Sequence, residues 1–343
     1  EGFKQFNLIG GFNGGGKSSL LEAMFFTVDR TNPNAIFRPF EWRMPGFQPA
    51  NVMPILKQVF YQGDTTSASV IKADTTGGEI ETSIHYGLSS ATSQILPSVT
   101  TTFPAGGPRT DGQSHQPLND GFVIKGRWNR AADLELTATV FPNGVAAQFT
   151  RQSEHTLPAC TMLSGQTKRN AGENITRFSQ IVADNRLDQV LRFVNLVHPE
   201  IQNIQVLQLG TSIDIHVQLQ DGLWIPSAFM GEGAATMLTL AMSIYTCRGG
   251  IVFLDEIDTS VHHSLLEKLW RYIMELADAF DVQIFATTHS FESLESFSRA
   301  ASGNFVKRVS YTRIHTSSSG VPRAASYDGQ KLAWAIEDQW ELR

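Results

Sequence analysis

The sequence has little cysteine, little charge and no long apolar run. Only two cysteines, Cys160 and Cys247, stand among 343 residues. They show no metal-ligand spacing and no framework pattern, which excludes a disulfide-built secreted domain. Charged residues make up 17% of the chain, and 33 acids against 27 bases leave a net charge of −6. A histone-like binder that coats nucleic acid by bulk charge is thereby excluded, while a local basic patch stays open to such contacts. No stretch approaches the roughly 20 apolar residues of a spanning helix, so an integral membrane protein is excluded. No charged-then-apolar leader is present, and the expectation is a cytoplasmic protein with no membrane partner. What the chain does have is 41% apolar residues and 28 glycines. That suffices for a substantial core, either one large domain or a core carrying an insertion. The chain opens on Glu1 and reaches the buried-type strand Phe6-Asn7-Leu8-Ile9 at once, so a trimmed or processed start is expected.

Hydrophobic spacing divides the chain into elements. A glycine-rich turn, Gly10 to Gly16, follows the first strand, and a helix is predicted over Lys17–Val28 with Leu20, Leu21, Met24 and Phe25 on one face. Residues 30–50 read as irregular, 51–61 as a short helix, and 67–72 and 79–86 as strands around a Thr-Gly-Gly turn. The Ser-, Thr-, Gly- and Pro-rich stretch 87–118 reads as a long mobile loop. A strand at 120–127 and a hairpin, 134–141 and 145–150 around Pro142-Asn143-Gly144, come next. Residues 172–197 carry helical spacing and stop before Pro199. Two strands flank Gly210, and Asp221-Gly222 makes a turn. From 230 the pattern alternates: helix 233–247, strand 251–254, helix 263–279, strand 282–286, helix 291–299. No internal repeat occurs.

The strongest chemical signal is Gly11-Phe12-Asn13-Gly14-Gly15-Gly16-Lys17-Ser18, which fits G-x-x-x-x-G-K-[ST]. A buried strand before it and an amphipathic helix after it separate it from an incidental glycine turn. Glycines let consecutive N–H groups from Asn13 to Gly16 face phosphate oxygens, and the helix N-terminus adds partial positive charge there. Lys17 is expected at the β- and γ-phosphates of ATP, Ser18 on Mg²⁺, and Ser19 on the α-phosphate side. A second signal is Ile251-Val252-Phe253-Leu254-Asp255-Glu256, four apolar residues ending in two carboxylates. A strand there brings Asp255 to the sheet's carboxyl edge, where open α/β sheets bind ligands. Asp255 is expected to hold Mg²⁺ through its water shell, and Glu256 to activate the attacking water. The next strand, Val282-Gln283-Ile284-Phe285-Ala286, runs into Thr287-Thr288-His289-Ser290, which sets His289 within reach of the γ-phosphate or the water.

These three motifs, in this order and with a large insertion, resemble the ABC-type ATPase heads of the SMC, RecF and OLD proteins. They are most similar to a stand-alone prokaryotic group of OLD-like "AAA family ATPases". The likeness covers about 1–28 and 225–300, with a looser echo from Tyr327 to Glu341. It implies an α/β P-loop fold: a parallel core sheet, an antiparallel β subdomain and a small helical insertion. The head would comprise 1–150 and 200–343, and the insertion 151–199. The resemblance implies Lys17 and Glu256 as catalytic groups, His289 as the switch histidine, and Asp255 as the magnesium-side acid. It implies Gly231 and Gly233, in Phe229-Met230-Gly231-Glu232-Gly233, as a signature closing over a partner subunit's nucleotide. A homodimer or higher homo-oligomer follows, switched by ATP and controlling a separate effector, a nuclease or toxin of antiviral defence. Two positions depart from the pattern: Met230 stands where a serine is usual and His262 where an aspartate is usual. They motivate an alternative, a nucleotide-locked scaffold with negligible turnover. Gln58 and Gln62 are weak candidates for a magnesium-sensing glutamine. No further acid cluster remains to build an intrinsic nuclease.

Outside these motifs, residues 296–327 carry Arg299, Lys307, Arg308, Arg313 and Arg323 and no acid. A solvated face is the plain reading, and a DNA-end contact of a repair ATPase the sharper one. Trp334 and Trp340 read as packing or subunit contacts rather than as a base-stacking platform.

Overall fold

The computed structural model describes residues 2–44, 57, 60, 63–87, 99–102, 121–141, 144–164, 171–195, 198–316 and 322–338. From the amino end, β1 (Phe6–Gly11) passes through the glycine turn into α1 (Lys17–Val28), and a helical turn at Ala35–Phe37 leads into α2 (Arg38–Arg43). Six strands follow: β2 (Ser69–Thr75), β3 (Gly78–Tyr86), β4 (Val99–Thr102), β5 (Gly121–Trp128), β6 (Ala131–Phe141) and β7 (Gly144–Arg151). Next come β8 (Cys160–Leu163), α3 (Ala171–Ala183), α4 (Leu187–Asn195), β9 (Ile201–Leu209), β10 (Ser212–Leu219) and β11 (Trp224–Pro226). The remainder is α5 (Glu232–Thr246), β12 (Ile251–Leu254), α6 (Leu266–Ala279), β13 (Gln283–Thr287), α7 (Phe291–Ala300), β14 (Val309–Thr316), β15 (Pro322–Asp328) and α8 (Gly329–Glu337). The chain divides into two compact units, Phe26–Leu157 and the combination of Glu1–Phe25 with Pro158–Arg343.

The discontinuous unit is built on a six-stranded sheet in the order β15-β14-β1-β13-β12-β8. All neighbours in it are parallel except β14 with β15. Parallel strands are covered on both faces, so they read as apolar runs. β1 is buried along its whole length, and Leu8, Val252, Phe253, Leu254 and Ala286 have no exposure. Each large apolar side chain buried this way contributes roughly 1.5–3 kcal/mol. α5 is buried on nearly every side, as expected of a helix apolar all round. In α6, Trp270 has its ring in the core while its Nε1 donates to Ser293 Oγ of α7 at 3.1 Å, so no indole N–H is stranded. The register matters most for function. Leu8, Ala286 and Leu254 lie side by side, so β1, β13 and β12 end together at one edge. A small antiparallel sheet, β11-β10-β9, belongs to the same unit.

The Phe26–Leu157 unit is an antiparallel sheet ordered β2-β3-β5-β6-β7-β4. Its core includes Phe26, Ile36, Phe37, Phe122, Ile124 and Leu136. Beside that core, the fully buried Arg30 forms an ion pair with Asp133.

The parallel core and the antiparallel β sheet are both as expected, and α1 has the predicted limits. Other readings change. The 172–197 helix is two helices, broken at Asp184-Asn185-Arg186 where Asn185 takes φ +54°. The 30–50 stretch holds α2, and the 87–118 stretch holds β4, which pairs with β7. The rest of 88–118, the expected helix at 51–61 except residues 57 and 60, Gln58, Gln62 and Trp340 lie outside the described residues. β8, β14 and β15 had no counterpart in the sequence reading. β8 spans only four residues, and β14 intersperses Ser, Thr, Arg and His among its apolar positions. No described helix is long and apolar enough to cross a membrane. Cys160 and Cys247 are free thiols, and burial pushes the Cys247 thiol up to about 11.

Candidate active site

The glycine turn forms because the end of β1 meets β14 closely. Inside the turn, Gly15 N–H donates to the Phe12 carbonyl at 3.1 Å. Gly14 and Gly16 take φ +77° and +90°, and nothing lies within 4 Å of where a Cβ would project. This leaves an open, backbone-lined cradle. Lys17 is 6% exposed, and its ammonium donates to the Gly11 and Phe12 carbonyls at 2.9 and 3.1 Å. Asn13 and Ser19 are exposed on either side of this stretch, and Ser18 is half-buried.

The acidic strand reaches the same place. Ser18 Oγ donates to Asp255 Oδ1 at 2.9 Å, across 237 positions of sequence. β13 lies between β1 and β12, and its last residue, Thr287, also donates to Asp255 Oδ1, at 2.6 Å. Glu256 follows in a left-handed conformation, φ +49° and ψ +44°. That conformation costs an L-residue roughly 1–3 kcal/mol and is characteristic of functional sites. Glu256 N–H donates to Thr287 Oγ1 at 3.0 Å, and Glu256 Oε1 lies 3.2 Å from His289 Nδ1. Both side chains are 41% exposed, so water can reach the pair. Beside them opens a cleft of about 360 Å³ lined in part by Asp258, His263, His289 and Glu292. Asp258 accepts from Thr288 Oγ1 at 2.6 Å, and its buried Oδ1 has no hydrogen-bond partner.

Lys17, Ser18, Asp255, Glu256 and His289 are thus brought to one sheet edge. Gly231 and Gly233 are not hydrogen-bonded to that group; Gly231 caps the N-terminus of α5 and Gly233 lies in its first turn. Met230 packs against the apolar core. His262 is exposed, and its ring nitrogen accepts from Ser264 N–H. Sequence reasoning passes over Thr287 as a residue that touches the Asp255 carboxylate and the Glu256 backbone amide. The available signal was a hydroxyl residue at the tip of the strand just before His289.

The donor set suits magnesium. A serine hydroxyl and a carboxylate are hard oxygen ligands, and Mg²⁺ binds through one or two such groups while keeping waters and substrate phosphates. Among the described residues, no group of three or more His, Cys, Asp or Glu is arranged to hold a metal by itself. The basic stretch is largely used internally. Arg299 pairs with Glu267 and Glu295, and Arg308 pairs with Asp278 and bonds Gln5.

A family profile described as "AAA domain, putative AbiEii toxin, Type IV TA system" matches residues 122–295, half of the chain. The chain belongs to this family. The matched stretch of the AAA domain includes Gly231, Asp255, Glu256 and His289, while the phosphate loop lies before it. An "ATP/GTP phosphatase" of Helicobacter pylori is 23% identical over 324 residues, covering 86% of this chain and 82% of that protein. Among solved structures, an SMC head bound to the C-terminal winged-helix domain of ScpA aligns over 98% of this chain and 93% of its own, at 11% identity and a TM-score of 0.49. The SMC head domain from Thermotoga maritima aligns over 96% and 92%, at 12% identity and a TM-score of 0.39. This AAA-family protein is an ATPase with an α/β P-loop fold.

Proposed function

We propose that this ATPase hydrolyses the β–γ bond of Mg·ATP at the edge where β1, β13 and β12 end. The amides of residues 14–16 and the Lys17 ammonium bind the phosphates, with Asn13 and Ser19 flanking them. Ser18 and Asp255 would hold Mg²⁺, which would supply positive charge beside the phosphates. Glu256 orients a water in line with that bond and takes its proton as the water oxygen bonds to the γ-phosphorus, so ADP leaves with the bridging oxygen. His289 keeps the Glu256 carboxylate turned towards this water. The observation that carries the reading is the 2.9 Å bond from Ser18 to Asp255, which joins the loop to the acidic strand.

Single-turnover hydrolysis tests it. Wild type should convert bound ATP, and Glu256→Gln should still bind ATP but turn it over at least ~100-fold more slowly. A Glu256→Gln rate equal to wild type would remove Glu256 as the base.

In the same reading, two copies associate head to tail with ATP, and Gly231 and Gly233 of one close over the nucleotide of the other. Hydrolysis then releases them, and the cycle gates a separate effector, a nuclease or toxin of antiviral defence, as in the OLD-like group. The toxin–antitoxin wording of the family description supports a partner of that kind. A second reading is favoured by Met230: its side chain offers no hydroxyl to a partner's γ-phosphate and packs against the core. In that reading ATP locks the dimer as a scaffold, and wild type and Glu256→Gln are equally inert while both dimerise with ATP.

A further inference from the structure

We propose that Thr287 is a positioning residue of this ATPase, its single hydroxyl setting the Asp255 carboxylate and the Glu256 backbone. The proposal rests on the roles given above to Asp255 and Glu256. A threonine hydroxyl has one hydrogen and two lone pairs. Here the hydrogen goes to Asp255 Oδ1 at 2.6 Å, and a lone pair accepts the Glu256 backbone N–H at 3.0 Å.

Two consequences follow. Asp255 Oδ1 receives two hydrogens, from Thr287 and from Ser18. This fixes the rotation of the carboxylate and leaves Oδ2 outside both bonds. The Ser18 hydrogen is committed to Asp255, so its oxygen lone pairs remain for a cation. The second consequence concerns Glu256. Its left-handed backbone needs anchors, and the end of β13 supplies one at the amide, through Thr287, and one at the side chain, through His289 Nδ1. Thr287 is itself held firmly. It is fully buried, pairs with Ile9 of β1, and as a β-branched residue has a stiff χ1. The strand between the loop and the acidic strand is therefore the part that sets their relative geometry, and Thr287 is its contact point.

The test uses the full chain with Thr287→Val, which keeps the shape and removes the hydroxyl, and Thr287→Ser, which keeps the hydroxyl. Misplacing a reacting group by ~1 Å can cost about 100-fold, so Thr287→Val should lower the single-turnover rate by roughly 10- to 100-fold. Its KM for ATP should stay within about threefold, because the phosphate loop is untouched. Independently of turnover, hydrogen exchange at the Glu256 amide of nucleotide-free protein should quicken at least ~10-fold as that amide loses its acceptor. Thr287→Ser should return both readouts to within about threefold of wild type. Wild-type rate and amide protection in Thr287→Val would overturn the proposal. Equal losses in Thr287→Val and Thr287→Ser, tracking a lower melting temperature, would also overturn it by showing a packing role alone. Glu256→Gln separates the two levels. If it is inert while Thr287→Val behaves as wild type, only the Thr287 proposal falls. If Glu256→Gln hydrolyses normally, the site reading falls and the Thr287 proposal with it.

Discussion

Lys17 is tied to the carbonyls of Gly11 and Phe12, so the loop already holds its cation at the place where phosphate charge would arrive. Hydrogen bonds to a charged group are worth about 1.5–3 kcal/mol. Lys17→Ala should therefore weaken ATP binding by at least ~10-fold, read by titration with a fluorescent nucleotide. Two acids near Arg30 should titrate with opposite effects on stability. Burial raises Asp29 to about 6, against hydrogen bonding from Asn32 and the Arg38 charge. The folded state thus binds its proton more tightly than the unfolded chain, and stability falls as pH rises from about 4 through 6. Burial also pushes Asp133 upward, but hydrogen bonds from His155 and Ser153 and the Arg30 charge outweigh it and hold Asp133 low. Its contribution is present above pH ~4 and lost as pH falls through its lowered value. Chemical denaturation at pH 4 and pH 7 should show Asp29→Asn gaining on wild type at the higher pH, by no more than ~3 kcal/mol. Asp133→Asn should lose most there, because it leaves buried Arg30 without its counter-charge.

At the scale of elements, the close approach of β14 to β1 shapes the phosphate loop. Gly11 takes φ +137°, and a Cβ there would lie 2.1 Å from the Ile314 carbonyl oxygen. Gly11→Ala should destabilise the protein by roughly 1–3 kcal/mol, since backbone must move to admit the methyl. Gly14→Ala meets no neighbour and should cost only the ~1 kcal/mol of a left-handed conformation. Denaturant midpoints compare the two. Elements with a strong local pattern were legible in the sequence: α1 has an unbroken apolar face, and β12 is a run of four apolar residues before two acids. Elements whose stability comes from neighbours were not. The α3–α4 break needs only one left-handed residue, Asn185, and the helical spacing continues across it. β14 breaks its apolar spacing with the polar pairs Thr312-Arg313 and His315-Thr316 and becomes a strand because β1 and β15 lie on either side of it.

For the molecule as a whole, the proposed dimer makes a direct prediction. With ATP and magnesium, Glu256→Gln should sediment at twice the monomer mass, and wild type should return to monomer as nucleotide is consumed. Exposed aromatics flank both halves of the proposed composite site: Phe12 in the loop, 59% exposed, and Phe229 before Gly231, 78% exposed. Burying each on association would contribute apolar area of the kind that drives interfaces. Phe229→Ser in the Glu256→Gln background should raise the dimer dissociation constant about 10-fold by sedimentation equilibrium. A chain that stays monomeric at every nucleotide state would remove the head-to-tail reading and leave the hydrolytic chemistry within one copy.

By itself the sequence determined the chemistry on offer. A strand, a glycine loop with Lys17 and Ser18, and an apolar run ending in Asp255-Glu256 are short-range patterns, and short-range patterns depend on covalent neighbours. Tertiary structure alone decided how those pieces meet: β13 between β1 and β12, β14 against Gly11, and Thr287 bonded to the Asp255 carboxylate and the Glu256 backbone amide. Those choices arise from pairing between segments hundreds of residues apart, and a hydroxyl gives no sign in its own neighbourhood of which distant oxygen it will meet.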